Sequence, residues 1–536
     1  MQESKEKISS RMIKNASRIW GFTDTQSESS FDPVVGLILG ALANELAKIS
    51  TEINTVEARI LEKLVDLLTP GPVTGPSPAH ALLRANPVDP VLDINPYYQF
   101  YTTKRIVIPG EHTAEEKTVF FTPSGNFKLF NGQIKYLASA SRIYKFQESL
   151  EKEIIATSRS PRSVKSSEIW FGMEMHEDID KLDGLSICFD LRNEAYEESF
   201  YDSLAKGRWT INNQPVNFTQ GIIDNNVDAN SLENLLQQEL DITTKVSNHI
   251  NRYYHKQFQT LTEKQFSLQK APDTEKIPPE LISVYSPGDL EEMEDNLLWI
   301  KVEFPQVMPP DVLDDLFCSV NCFPAFNRHL NEFTQSSREF INIIPLLTEE
   351  VFFDMKRVTS SSGKHFAQKS FSGIKDVEEG TYIVRHGGVG RFDSRNAAEI
   401  IDYLLELLRD ESAAFSIMGA DMISSDLKEL NQTITRLEHR LKTSNVVKKE
   451  IPYLLLRSKA NDDTVFVEFW TTNGDVGNNI KSGENLFVYE GSGLWPDSIE
   501  TVTPTIGGRE SMDTEERLNA YRKALLSHGR IVTKED

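Results

Sequence analysis

The sequence predicts an α+β, multi-domain protein: a long N-terminal helical arm followed by β-rich domains with helical insertions. Three observations predict it. An apolar stripe of period 3.5 runs through 32–68. Alternating aromatic and β-branched runs, bounded by Gly and Pro, recur between 97 and 218. Further helical and strand patterns then follow each other to about residue 475.

The arm is the strongest of the three signals. Val35, Leu39, Leu42, Leu46, Ile49, Ile53, Val56 and Ile60 step by four and three, with a slip before Leu64 and Leu67. Asp32 suits an N-cap and Pro33 the first helical position. Thr69-Pro70-Gly71-Pro72 ends the helix, because proline lacks the amide donor and blocks helical geometry before it. At a rise of about 1.5 Å per residue the helix would span about 55 Å, more than a small domain is wide. Such a stripe seeks partner helices, so these eight residues are the predicted partner interface. Gly36 and Gly40 weaken a helix by about 1 kcal/mol each relative to Ala. Close approach by a neighbouring helix would explain them, and so would simple tolerance. An exposed apolar stripe also predicts a chain that self-associates or aggregates when alone.

From 71 to 96 the chain is rich in proline and reads as an extended strap. Strands are expected at 97–103, 105–108, 118–122, 169–173 and 185–191, and a hairpin across Asn212-Asn213. Residues 230–270 return to a polar helical character. Leu297–Phe304 reads as a strand, Asp311–Phe317 as a short helix, and 465–472 as another strand. Leu427, Leu430, Ile434, Leu437 and Leu441 offer a second, shorter coiled-coil-like face within 395–443. The expected segments are a helical arm (1–75), a β-rich domain (76–230), a mixed α/β segment (231–345), a mixed domain with a coiled-coil-like helix (346–452) and a β-rich C-terminal segment (453–536).

Composition narrows the function. With 39% hydrophobic residues over 536 positions, large cores are possible and global disorder is excluded. A net charge of −23 opposes general nucleic-acid binding, which needs clustered Lys and Arg, and adsorption to anionic membranes. No apolar run reaches the roughly 20 residues of a membrane span. Residues 1–18 lack the apolar core of a secretory signal, so the expected location is cytoplasmic. Cys188, Cys318 and Cys322 cannot build a disulfide framework and lack zinc-ligand spacing.

Candidates for chemistry each meet a plainer reading. His386-Gly387-Gly388-Val389-Gly390-Arg391 lacks both the dinucleotide spacing and the phosphate-loop lysine, so it reads as a turn. Gly507-Gly508-Arg509 reads as a tight turn whose backbone could approach a partner. His249 and His255 stand six apart and do not share a helix face as metal ligands would. No hydrolase or metalloprotease motif is present. The sequence therefore predicts no enzyme, no cofactor and no metal. Cys322 with His329 as its base is the rival thiol-nucleophile reading. The Cys322–Asn327 stretch is expected to shape a turn.

Three boxes occur in order along the chain: Asp32-Pro33 with the helix, Leu67-Leu68-Thr69-Pro70 and Pro76-Ser77-Pro78; Cys322-Phe323-Pro324-Ala325-Phe326-Asn327 with Phe340-Ile341-Asn342-Ile343-Ile344-Pro345; and Thr472-Asn473-Gly474-Asp475. Together they resemble the TssF family, the wedge subunit of the type VI secretion baseplate, itself related to wedge proteins of contractile phage tails. The pattern departs at Arg328-His329, where an apolar pair is usual, and the chain is short for the family. The resemblance implies a structural wedge subunit around a central spike. It implies two copies joined to one TssG-like subunit, N-terminal helices in a shared bundle, and TssK-like, TssE-like and VgrG-like neighbours. It carries over no catalytic residue. A wedge of a phage tail or extracellular injection system is the near alternative, and a polysaccharide hydrolase the alternative of another class.

Overall fold

The computed structural model describes residues 5–20, parts of 35–49, and most of 75–386 and 452–523. The longer stretches outside it are 21–34, 50–74, 223–241, 263–276, 369–379, 387–451 and 524–536. The chain divides into two compact units, one of 1–76 with 511–536, the other of 77–510.

In the first unit, Lys5–Trp20 is a helix. Of the arm predicted over 32–68, residues 35, 38–43, 45, 46 and 49 are described, and all are helical. The rest of that arm and the stripe from Leu427 to Leu441 lie outside the described residues.

The second unit is built from sheets that are antiparallel except where the two-residue strand Ala367–Gln368 runs parallel to Thr381–His386. A six-stranded sheet runs, in hydrogen-bonded order, Phe487–Glu490, Gln99–Val107, Ala114–Pro123, Cys322–Phe326, His80–Arg84 and Glu500–Thr501. A seven-stranded sheet runs Gln214–Val216, Arg208–Ile211, Leu298–Glu303, Glu168–Met175, Gly132–Ala138, Arg142–Phe146 and Lys152–Thr157. A four-stranded sheet of Phe218–Gln220, Phe258–Leu261, Ser186–Leu191 and Leu316–Val320 shares a core with it, where Phe171 meets Phe189 and Phe146 meets Phe317 edge to face. A three-stranded sheet centres on Thr464–Thr472 between His329–Ser336 and Val351–Ser360. A further sheet pairs Ile341–Pro345, Pro452–Arg457 and Thr381–His386.

Strand patterning follows burial. In Thr464–Thr472, Val465, Val467 and Phe469 point into one apolar cluster; on the opposite face Phe466 is exposed, but Glu468 and Trp470 further along are buried, so the strand is covered on both faces toward its end. The six-stranded sheet is covered on both faces. Leu82, Cys322 and Phe326 belong to the core shared with the seven-stranded sheet, and Leu83, Phe323 and Ala325 to a second core. That is why His80–Arg84 and Cys322–Phe326 read as nearly continuous apolar runs.

Two expectations are corrected here. The strap at 71–96 holds a core strand, His80–Arg84, paired on both sides. Its alternating signal is lost because both faces are buried. Of the helix expected at Asp311–Phe317, Val312 is helical and residues 311, 313 and 314 lie outside the described residues, but Leu316 and Phe317 instead open the strand Leu316–Val320, whose five residues are all buried. The polar stretch 230–270 yields the helix Ile242–Tyr254, then the strand Phe258–Leu261. The first turn of that helix is held from outside: the backbone N–H and Oγ1 of Thr243 donate to Asp354 Oδ2 at 3.1 and 2.9 Å. A carboxylate there answers both the orphan amides and the positive end of the helix dipole. The hairpin at Asn212 forms as expected, with Asn212 at φ 47°.

Candidate functional site

Parts of the boxes meet at Asn327: the residue after Pro76-Ser77-Pro78, the Cys322–Asn327 stretch and the Thr472–Asp475 loop, while Asp32-Pro33 and Leu67-Leu68-Thr69-Pro70 lie outside the described residues and Ile341–Pro345 pairs in another sheet. The Cys322–Phe326 strand pairs with His80–Arg84 in the register His80 to Phe326 and Arg84 to Cys322. On its other edge it pairs with Ala114–Pro123, Ala325 facing Pro123. The box is therefore a buried interior strand rather than a turn. Pro324 still sets its form: it restricts Phe323 to extended backbone, which a strand uses as readily as a turn does. The Pro324 carbonyl accepts from the Ser124 N–H at 2.9 Å.

Asn327, fully buried at the end of that strand, ties three segments. Its backbone N–H donates to the Ala79 carbonyl at 2.6 Å, just past Pro76-Ser77-Pro78. Its Nδ2 donates to the Phe120 carbonyl at 2.7 Å and to Asn473 Oδ1 at 2.9 Å. Its Oδ1 accepts from Thr472 Oγ1 and the Asn473 N–H, both at 2.7 Å. Both amide hydrogens and both lone pairs are used, which only asparagine's short amide can do here.

The late loop packs closely on this point. Gly474, at φ +59°, opens a 3-10 turn, Gly474–Gly477. A Cβ on Gly477 would stand 2.9 Å from Ala79 Cβ, and one on Gly508 only 2.2 Å from the Gly474 carbonyl oxygen. Lys104 donates to the Val476 carbonyl at 2.9 Å and to that of Asn478. Burial pushes its amine below the usual lysine range, and Asp475 partly restores it. Ser77 and Arg509 exchange both backbone hydrogen bonds at 2.9 Å, and His80 and Ile506 at 2.8 and 3.1 Å. Asn478 closes the ring with Gly508, donating and accepting at 2.7 Å. The backbone of Gly507-Gly508-Arg509 thus approaches its own chain.

Arg328 and His329, where the boxes depart from the apolar pattern, are both built in. Arg328 is only 2% exposed. Its Nε donates to Thr122 Oγ1 and its Nη2 to the Pro96 carbonyl at 3.0 Å. The guanidinium lies 4.5 Å from the Phe326 ring and 4.1 Å from the Trp470 ring, so two π faces replace apolar neighbours. His329 stacks on Phe120 at 3.8 Å, with Nδ1 3.2 Å from Glu350 Oε2, which also accepts from Thr471 Oγ1.

Chemically this is a lock on backbone positions. Cys188, Cys318 and Cys322 are free and buried, and burial pushes the Cys188 and Cys318 thiols upward, away from the thiolate a nucleophile needs. Among the described residues no group of three His, Cys, Asp or Glu side chains could hold a metal. His249 and His255 are both exposed, the first on the helix Ile242–Tyr254 and the second just past it. His80 is buried instead, its Nδ1 2.9 Å from Tyr254 Oη; burial, then the neighbouring His249, push it down to about 4.

The predicted interface residues are placed only in part. Leu42, Leu46 and Ile49 are 48, 44 and 49% exposed, Val35 and Leu39 are half-buried, and Ile53, Val56 and Ile60 lie outside the described residues. Ala43, off the stripe, is fully buried. A Cβ on Gly40 would meet nothing within 4 Å.

Sequence reasoning missed Asn321. At φ 62° between two strands, it accepts from the Phe130 N–H at 2.8 Å and donates back to the Phe130 carbonyl at 2.7 Å. Its signal was an asparagine separating two apolar runs.

No family model matches this chain, and no curated protein matches it. Among solved structures, it is similar to a chain of the type VI secretion system TssK-TssF-TssG baseplate subcomplex seen by cryo-electron microscopy. The identity is 13% and the TM-score 0.45, over 91% of this chain and 78% of that one. No helix of the described residues is long and apolar enough to cross a membrane.

Proposed function

We propose that this chain is a structural wedge subunit of the TssF kind, acting in the cytoplasmic baseplate of a type VI secretion system. One observation carries the reading. The strap, the Cys322–Asn327 box and the Thr472–Asp475 loop, which resemble the family's boxes in order, are gathered by Asn327 into a single hydrogen-bonded node. Motifs that meet without any reactive arrangement suit a part whose task is shape.

In this reading residues 1–75 act as the helical arm, and the exposed Leu42, Leu46 and Ile49 begin the face that enters a bundle with a TssG-like subunit and a second copy. TssK-, TssE- and VgrG-like components would be further neighbours. The β-rich body then serves as the rigid part of the wedge, and no catalysis is assigned to it.

The test is co-expression with the products of neighbouring genes, followed by pull-down. A stable heteromeric complex without turnover is expected, and a monomer that turns over a substrate would refute the reading. Leu46→Asp or Ile53→Asp should abolish capture, because a carboxylate buried without a partner costs several kcal/mol. Lys48→Ala or Glu52→Ala, off the stripe, should leave capture within about 0.5 kcal/mol of wild type. Equal yields from both pairs would remove the stripe as the assembly face.

A further inference from the structure

Two Asn-Gly dipeptides occur in the chain, Asn131-Gly132 and Asn473-Gly474. The pairing carries a chemistry of its own. The backbone nitrogen that follows an asparagine can attack the side-chain amide carbon and close a succinimide ring. Glycine at that place has no Cβ to hinder the approach. The N–Cγ bond forms, the Cγ–NH2 bond breaks, and ammonia leaves with the proton of the attacking nitrogen. Water then opens the ring at either carbonyl and gives aspartate or isoaspartate.

The second dipeptide lies in the node, and its geometry there opposes the reaction. Asn473 stands at φ −85° and ψ −1°. At that ψ its own backbone nitrogen eclipses the Gly474 nitrogen, whereas a flat ring needs Cβ in the eclipsed place. Closure therefore requires the Cα–C bond of Asn473 to turn. The attacking group is also occupied: the Gly474 N–H donates to Thr472 Oγ1 at 3.2 Å, and Gly474 is buried. The Asn473 amide is tied at both ends. Its Oδ1 accepts from Asn327 Nδ2 at 2.9 Å and its Nδ2 donates to the Thr118 carbonyl at 3.3 Å. The Asn473 N–H donates to Asn327 Oδ1 at 2.7 Å. Turning the residue into the reactive form breaks into this set.

We propose that Asn473 is a site of spontaneous deamidation, suppressed by the closed node and damaging to it once the reaction has occurred. Aspartate puts an oxygen where Nδ2 was, so two acceptors face each other at the Thr118 carbonyl with no proton between them. Isoaspartate routes the main chain through Cβ and lengthens the path between the Asn473 and Gly474 N–H groups, both of which the node fixes. The rate in the folded chain then follows the population in which this loop is open. A chain whose node has opened is converted covalently and does not return. The inference rests on the node alone and does not depend on the wedge reading.

The test incubates the full chain at mildly alkaline pH, folded and in denaturing urea. Mass spectrometry follows the peptides that hold Asn131 and Asn473, and isoaspartyl methyltransferase labelling detects isoaspartate. In urea both asparagines should react at similar rates. In the folded chain Asn473 should react about tenfold or more slowly than in urea, because only the open loop reacts. Thr472→Val removes the acceptor of the Gly474 N–H and should speed the reaction at 473 in the folded chain, while Thr472→Ser keeps the hydroxyl and should not. Asn473→Asp, the product made directly, should melt below wild type. Should Thr472→Val not fold, the urea comparison and Asn473→Asp still decide. Equal rates at 473 in folded and unfolded chains overturn the proposal, as does an unreactive Asn473 in urea. An Asn473→Asp chain that melts with wild type also overturns it, and so does unchanged protection in a folded Thr472→Val chain.

Discussion

Single side chains carry the node, and each makes a separate claim on stability. Asn327→Leu leaves the Phe120 carbonyl and the Asn473 N–H without their partner in a buried place. A loss of about 3 kcal/mol is expected, read by denaturant unfolding. Cys322→Ala removes only a small buried filler, so assembly and secretion should persist. Loss of secretion in both Cys322→Ala and Cys322→Ser, with the complex intact, would make the thiol itself essential. His80 gives a pH signature. It ordinarily titrates near 6.5 and is pushed to about 4 when folded, so the unfolded chain binds the extra proton between those values. Stability is thus full above about pH 6.5 and falls as pH drops toward 4, by about 2 kcal/mol between pH 7 and 5. Melting temperatures across that range should show a drop that His80→Gln largely removes.

At the scale of elements, two glycines make opposite predictions. Gly508 lies in a turn pressed against the 3-10 turn at Gly474, and Gly508→Ala should cost about 1–3 kcal/mol through overpacking. Gly40 is helical with open space beside it, so Gly40→Ala should stabilise the free chain by about 1 kcal/mol. If the free chain gains that stability while capture of a TssG-like partner falls, Gly40 is where a partner helix approaches. Unchanged capture assigns the glycine to tolerance alone. Arg328 shows how an element absorbs a departure from pattern. A guanidinium between Phe326 and Trp470 fills the slot of an apolar side chain and fastens the Cys322–Phe326 strand to the central strand of the three-stranded sheet.

At the scale of the whole molecule, the 77–510 body begins and ends at one place. Ser77 and Arg509 pair directly, and Leu82 accepts from the Val502 N–H at 2.7 Å further along. Residues near 500–509 are therefore the outer support of a core strand more than 400 positions earlier in the chain. A chain ending at Ser498 should lose cooperative melting of the β body, because it strips that support from His80–Arg84. A chain ending at Glu510 should keep it, since every pair named here remains.

Local chemistry made much of this legible in advance. The strands at 169–173, 185–191, 297–304 and 465–472, and the hairpin at Asn212, follow from alternation and turn residues, which act over a few positions. Net charge, cysteine state and the order of the boxes are equally properties of the sequence. What the tertiary structure decided is which distant segments share a sheet. The strand within the proline strap was hidden because burial on both faces erases alternation, and the 322–327 box could be read as a turn because Pro324 demands extended backbone in either case. Asn327 gave no local sign that its amide would join segments near 79, 120 and 473. Hydrogen bonds across hundreds of residues exist only once non-local strands have closed, and no short-range pattern encodes them.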